Sequence, residues 1–201
     1  MKVIIDNSFI VRFCYDQYNG LYDMFELLRV MNYEPVIVKN IYDSEILHDR
    51  AKNIIDEECA EIIDLTNLYY DENSKRRFRA NFIDLYDNLC EKSKLKGKII
   101  NEVDFDHEKD IFNIGHKQGS SVGDVYIVLA AHKLNIPIIM INDNDFFVLE
   151  SCCRDILNLD NQSIKFMMAK DLILEVKNDR NNSFGVEKLK IIEKKINSHR
   201  K

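Results

Sequence analysis

Gly123-Asp124-Val125-Tyr126-Ile127-Val128-Leu129-Ala130-Ala131, followed after a short break by Ile138-Ile139-Met140-Ile141-Asn142-Asp143-Asn144-Asp145-Phe146, is the stretch from which the fold is read. The first segment predicts a buried helix with an acid at its start. The second predicts a short strand, entered through Pro137, that releases two acids at its end. The chain opens in the same way, with Val3-Ile4-Ile5 running into Asp6-Asn7-Ser8. Carboxylates at such apolar borders call for a positive partner, because an unpaired buried charge is costly. A divalent cation held by carboxylate oxygens is the simplest one.

Working outward, residues 9–17 and 21–31 read as helices, the second with Leu21, Met24, Phe25, Leu28 and Met31 on one face. Pro35 then opens Val36-Ile37-Val38, a second strand, and strand–helices–strand is the pattern of a parallel sheet. Residues 44–94 read as two helices forming a long arm. Leu47, Ala51, Ile54, Ile55, Cys59, Ile62 and Ile63 mark one stripe, and Phe78, Phe82, Leu85 and Leu89 the other. Gly97 ends the arm. Ile99, Ile100 and Val103 suggest a further strand, and 106–117 a helix leading into a glycine-bearing loop at 115–123. A short helix at 147–153, a strand at 164–168 and a helix at 169–176 complete the body. The expected fold class is α/β: a central parallel sheet of about four to five short strands flanked by helices, with a helical arm over 44–96. Residues 1–177 form the main domain. Residues 178–201 are a linker and a basic C-terminal helix.

With 201 residues, the chain is long enough for one domain with a full core. Its 46% hydrophobic and 31% charged content indicates a soluble globular protein. A formal net charge of -6 argues against a binder that is basic over its whole surface, though local basic patches remain open. Five scattered cysteines without a CxxC suit neither a disulfide framework nor a zinc site, and suggest a reducing cytoplasm. Asp6 interrupts the first apolar run too early for a signal peptide. No apolar run reaches the roughly 18 residues of a membrane helix.

In open parallel sheets the working crevice lies beyond the carboxyl ends of the strands, where Asp6, Asp143 and Asp145 are expected. Turn chemistry alone would also favour acids at strand ends. Ser121-Val122-Gly123-Asp124 fits a capping box, which would account for Asp124 without excluding a role in the crevice. A further acid is expected after the second strand, from Glu45 or, as the alternative, Asp43. Asp43-Ser44 also fits a helix start. Other signals fail. Asp143-Asn144-Asp145 lacks the later ligands of an EF-hand. The glycines at 115, 119 and 123 follow a helix and not a strand, and no GK[ST] exists. The five histidines show no zinc spacing, and Ser8 has no evident histidine partner.

The order of these acids resembles that of PIN-domain nucleases. Asp6-Asn7-Ser8 resembles their opening Asp-x-Ser/Thr. The glycine-bearing loop leading to Asp124, with Ile127 and Ala130-Ala131, resembles their central acid-bearing helix. Asn142-Asp143-Asn144-Asp145-Phe146 resembles their closing strand-end motif. The resemblance spans residues 1–176 and is weakest over 50–102. It implies a PIN-like fold and a metal-dependent endoribonuclease that hydrolyses RNA with Mg²⁺ or Mn²⁺. Asp6, Asp124 and Asp143 would bind metal, Glu45 and Asp145 would complete or adjust the site, and Ser8 would orient Asp6 or a metal-bound water. The products would carry a 5′-phosphate and a 3′-hydroxyl. Small stand-alone members often act as toxins of toxin–antitoxin pairs, as homodimers restrained by an inhibitor protein, and the resemblance carries that expectation here.

An acidic enzyme needs local positive charge to hold a polyanion. Lys75, Arg76, Arg77 and Arg79, with Phe78 among them, are candidates for nucleic-acid binding, as are the C-terminal lysines. Two other classes stay open. One is a non-catalytic module that binds RNA or protein. The other is a phosphatase-type hydrolase with Asp6 as nucleophile, whose chemistry usually needs an Asp where this chain has Ser8.

Overall fold

The computed structural model describes residues 1–106, 110–115, 118–143, 146–156, 164–179 and 184–199. Among the described residues five strands form one parallel sheet: β1 (Lys2–Ile5), β2 (Glu34–Val38), β3 (Glu61–Ile63), β4 (Ile138–Met140) and β5 (Lys165–Met167). Their order across the sheet is β3-β2-β1-β4-β5. The chain builds outward from β1 to β2 and β3, then crosses back to add β4 and β5 on its other side. The order therefore reverses between β1 and β4, the position where open α/β sheets leave a crevice at the strands' carboxyl ends.

Val3, Ile4, Ile5 and the triplet Val36–Ile37–Val38 are all fully buried. Strands that alternate nothing and bury everything need cover on both faces, and helices supply it. The expected α/β class is the observed one. α7 (Val122–Leu134) is apolar nearly all round and sits in the middle of the fold, as such helices must. α6 (Glu72–Leu95) runs against α7 and against α8 (Phe146–Ile156). α1 (Asn7–Arg12), α2 (Gly20–Val30) and α9 (Ala169–Asn178) complete the layers.

Four expectations change. The predicted helix at 9–17 stops at Arg12, and the segment after it turns, with Asp16, Gln17 and Tyr18 all at positive φ (49°, 55° and 73°). The predicted arm is not an arm. Its first half divides into α3 (Lys39–Ser44), α4 (Asp49–Glu57), β3 and α5 (Leu65–Leu68). Left-handed Cys59 (φ 57°) ends the helical run, and Ile62-Ile63 then pair with β2 as the edge of the sheet. A short apolar pair fits a helical stripe or a strand equally well, which is why periodicity misplaced it. The strand expected around Ile99–Val103 does not form. Ile99 is fully exposed, and this segment is pinned by the Tyr86 hydroxyl, which donates to the Asn101 carbonyl (3.1 Å) and accepts from the Val103 amide (3.2 Å). Of the helix expected at 106–117, the described residues form turns, where the Asp110 carboxylate takes the Phe112 amide (3.1 Å) and competes with helical bonding. The rest of that segment lies outside the described residues.

The C-terminal helix, α10 (Val186–Ser198), packs back on α9 and is no free tail. Lys188 pairs with Glu26, Lys177 with Glu193 (2.6 Å) and Lys195 with Asp16. Two of the lysines that suggested a nucleic-acid surface, Lys188 and Lys195, are thus engaged with acids of the body. No helix among the described residues is long and apolar enough to cross a membrane.

Candidate active site at the switch between β1 and β4

Asp6 follows β1 directly. Its amide donates to the Met140 carbonyl at the end of β4 (2.9 Å), so the two central strands are tied together at their carboxyl ends. Asp6 is also the N-cap of α1, and its Oδ2 accepts from the Ser8 amide (2.8 Å) and the Ser8 hydroxyl. The same hydroxyl accepts from the Asn142 amide (2.9 Å). Ser8 therefore locks the Asp6 carboxylate to the segment that carries Asp143. Capping explains one oxygen of Asp6 and leaves its burial unexplained: the residue is only 6% exposed.

Asp124 is the third residue of α7. The expected capping box does not form, because Ser121 sits in a left-handed conformation (φ 60°) and makes no side-chain cap. Its hydroxyl instead bonds to the Asp124 side chain. Freed from the cap, Asp124 shares a small cavity with Asp143, bounded by Leu89 and Ser93 of α6.

Glu45 and Asp43 separate clearly. Both lie at the end of α3 and not at a helix start. Asp43 is exposed and lines a different hollow, with Lys39 and Asp64. Glu45 turns inward against Gly123 of α7. A side chain at position 123 would collide with the Glu45 Oε1 and lie 2.7 Å from Ile41 Cδ1. The Asn7 side chain bonds to the Glu45 carboxyl. An acid at a helix C-terminus also opposes the helix dipole, so local stability does not account for it.

Electrostatics ties these groups together. Burial holds Asp6 above the ordinary carboxylate range against the bonds from Ser8, and the charge of Asp143 adds to the rise. Burial and then the charges of Asp6, Glu45 and Asp143 push Asp124 well up. Burial and the charge of Asp6 bring Glu45 to about 7. The charged neighbours that weigh most on these three carboxyls are other carboxyls. That is an arrangement a cation would relieve, and hard oxygen donors of this kind suit Mg²⁺ or Mn²⁺. Asp143 lies at the exposed rim. Among the described residues no three His, Cys, Asp or Glu side chains are already grouped so as to hold an ion. Asp145 lies outside the described residues.

The basic cluster on α6 lies apart. Arg76 and Arg77 are exposed, but Lys75 pairs with Glu72 (3.0 Å) and Arg79 donates to the Phe105 carbonyl (2.9 Å). Phe78 is fully buried and so cannot meet a base. At the rise of an α-helix, Arg77 stands about 24 Å along α6 from Ser93, where the helix reaches the acids. Two residues at the site carry roles that the sequence did not assign: Asn7, which holds Glu45, and Gly123, which makes room for it. Comparison of the chain with protein-family models, curated proteins and solved structures finds no match.

Proposed function

We propose that the chain is a metal-dependent nuclease that hydrolyses phosphodiester bonds of single-stranded RNA, with Asp6, Glu45, Asp124 and Asp143 as the carboxylates that hold Mg²⁺ or Mn²⁺. The observation that carries this reading is the convergence of three inward-facing acids, from β1, α3 and α7, at the switch point of a parallel sheet. A bound divalent cation would neutralise the acids and acidify a water for attack on phosphorus. Ser8 keeps Asp6 in place and Asn7 keeps Glu45 in place. The resemblance to PIN-domain nucleases supports the same reading. It extends it to products with a 5′-phosphate and 3′-hydroxyl, to a homodimer, and to a cytoplasmic toxin restrained by an inhibitor protein.

The test is cleavage of a single-stranded RNA by the purified chain with Mn²⁺, with EDTA, and by the Asp124→Asn variant. Cleavage should need the metal and fall by at least about 100-fold in the variant. Equal cleavage by both proteins would assign the activity to a contaminant. RNA binding without cleavage under any metal would favour a non-catalytic module.

Gly123→Ala probes the site without touching an acid. Alanine favours a helix over glycine by about 1 kcal/mol, but here the new methyl displaces the Glu45 carboxylate. Cleavage should fall by about 10- to 100-fold while the circular dichroism spectrum stays unchanged. Full activity in this variant would remove Glu45 from the site.

A further inference from the structure

Glu45 and Asn7 also belong to the wall of a cleft of about 400 Å³, a volume in the range of small-ligand sites. Its remaining wall is mostly apolar and includes Val11, Leu47 and Ala51. Leu47 is 80% exposed. On one side the rings of Tyr18 and His48 lie 4.2 Å apart, tilted by 31°.

The ring pair is held by a strained turn. Asp16, Gln17 and Tyr18 are three successive non-glycine residues in the left-handed region. Such conformations persist only where the surroundings over-determine them, and they collect at functional sites. Here Lys195 of α10 pairs with Asp16, and Arg50 donates to Asn19 Oδ1 (2.7 Å). The Arg50 amide also donates to His48 Nδ1 (3.3 Å), fixing the second ring. The turn joins buried Tyr15 to buried Gly20, while Asp16 and Gln17 themselves are exposed.

We propose that this cleft is a nucleobase subsite, which takes the base of a nucleotide adjoining the phosphodiester held at the carboxylates and stacks it on the Tyr18–His48 platform. The inference rests on the nuclease reading for the position of the phosphate. Three features favour a base over a peptide side chain: the paired rings, the polar Asn7 at the edge, and the sharing of Glu45 with the acid cluster. A base can enter only when unstacked from its neighbours, so the cleft selects single strands. Stacking tolerates any base, so sequence preference is weak.

Fluorescence anisotropy with a labelled 12-mer single-stranded RNA tests the proposal, using the full chain carrying Asp124→Asn so that the probe survives. Tyr18→Ala should weaken binding by about 5- to 150-fold, and Tyr18→Phe, which keeps the ring, should not. Leu47→Ala should weaken it by about threefold or more, and its exposure lets it decide the matter if Tyr18→Ala fails to fold. A 12-mer lacking its bases should bind parent and Tyr18→Ala equally. Unchanged affinity in Tyr18→Ala and Leu47→Ala would overturn the subsite and leave the nuclease reading standing. Base-dependent binding in a chain that cleaves nothing would keep the subsite and sink only the nuclease reading. A parent that binds no RNA would overturn both.

Discussion

In metal-free buffer at pH 8, the Asp124→Asn chain should resist denaturant better than the natural sequence, and Mn²⁺ should stabilise only the natural one. The expectation follows from the direction in which the buried acids are displaced. Asp6, Glu45 and Asp124 all have folded-state pKa values above their ordinary ones, so the folded chain binds more protons than the unfolded chain. Stability from these groups is fully present below about pH 4 and is lost as pH rises through the folded values, about 7 for Glu45. For Glu45 the gap between about 7 and its ordinary 4.5 corresponds to at most about 3 kcal/mol, since the residue keeps some contact with solvent. Asparagine at position 124 removes one charge that raises the others, and the loss of stability from pH 5 to 8 should shrink. Removing a repelling acid from a working site commonly gains about 0.5–2 kcal/mol. A cation at 100 times its dissociation constant stabilises the natural chain by about 2.7 kcal/mol. Urea unfolding at pH 5 and pH 8, with and without Mn²⁺, reads all of this. A variant less stable at both pH values, with its Mn²⁺ response intact, would mean that Asp124 is structural.

The parts of this arrangement that were legible in the sequence share a physical basis. Val3–Ile5 and Ile138–Ile141 are apolar without alternation and too short for a buried helix, which suits a strand covered on both faces, and an acid just past such a strand lies at the carboxyl edge of the sheet. Asp6 and Asp143 were therefore visible as crevice residues before any coordinates. β3 was not visible. Its three residues include two exposed ones, and its apolar content continues the stripe of the helix before it. The place of Glu45 was only half visible, because its partners Gly123 and Asn7 come from other elements and contact between elements leaves no local pattern. Within Lys75–Arg79, the place of Phe78 was not legible for a similar reason. An aromatic residue inside a charge run looks identical whether its ring faces water or the core, and Phe78 faces the core.

Phe78→Ala should accordingly destabilise the fold by about 3–5 kcal/mol, while Arg77→Ala one position away should change it by less than about 0.5 kcal/mol. Phe78 stacks on Phe112 with centroids 4.5 Å apart and planes 13° off parallel, and it meets Tyr69 at 4.7 Å. Its ring also lies parallel to that of Tyr126, within 7°, at 6.4 Å. The Tyr126 hydroxyl donates to the Ile111 carbonyl (2.8 Å) and accepts from the Ile114 amide (3.0 Å). One buried ring thus joins α6, the 110–115 segment and α7 two residues beyond Asp124. Removing it opens a cavity that no flexible neighbour can fill, because the surrounding rings are themselves fixed by packing and hydrogen bonds. Urea titration of both variants gives the comparison directly. The pair also separates support from substrate contact. Loss of RNA affinity in Arg77→Ala at unchanged stability would restore a nucleic-acid role to the exposed face of α6. A Phe78→Ala chain as stable as its parent would mean that the aromatic stack does not hold α7, and with it Asp124, in place.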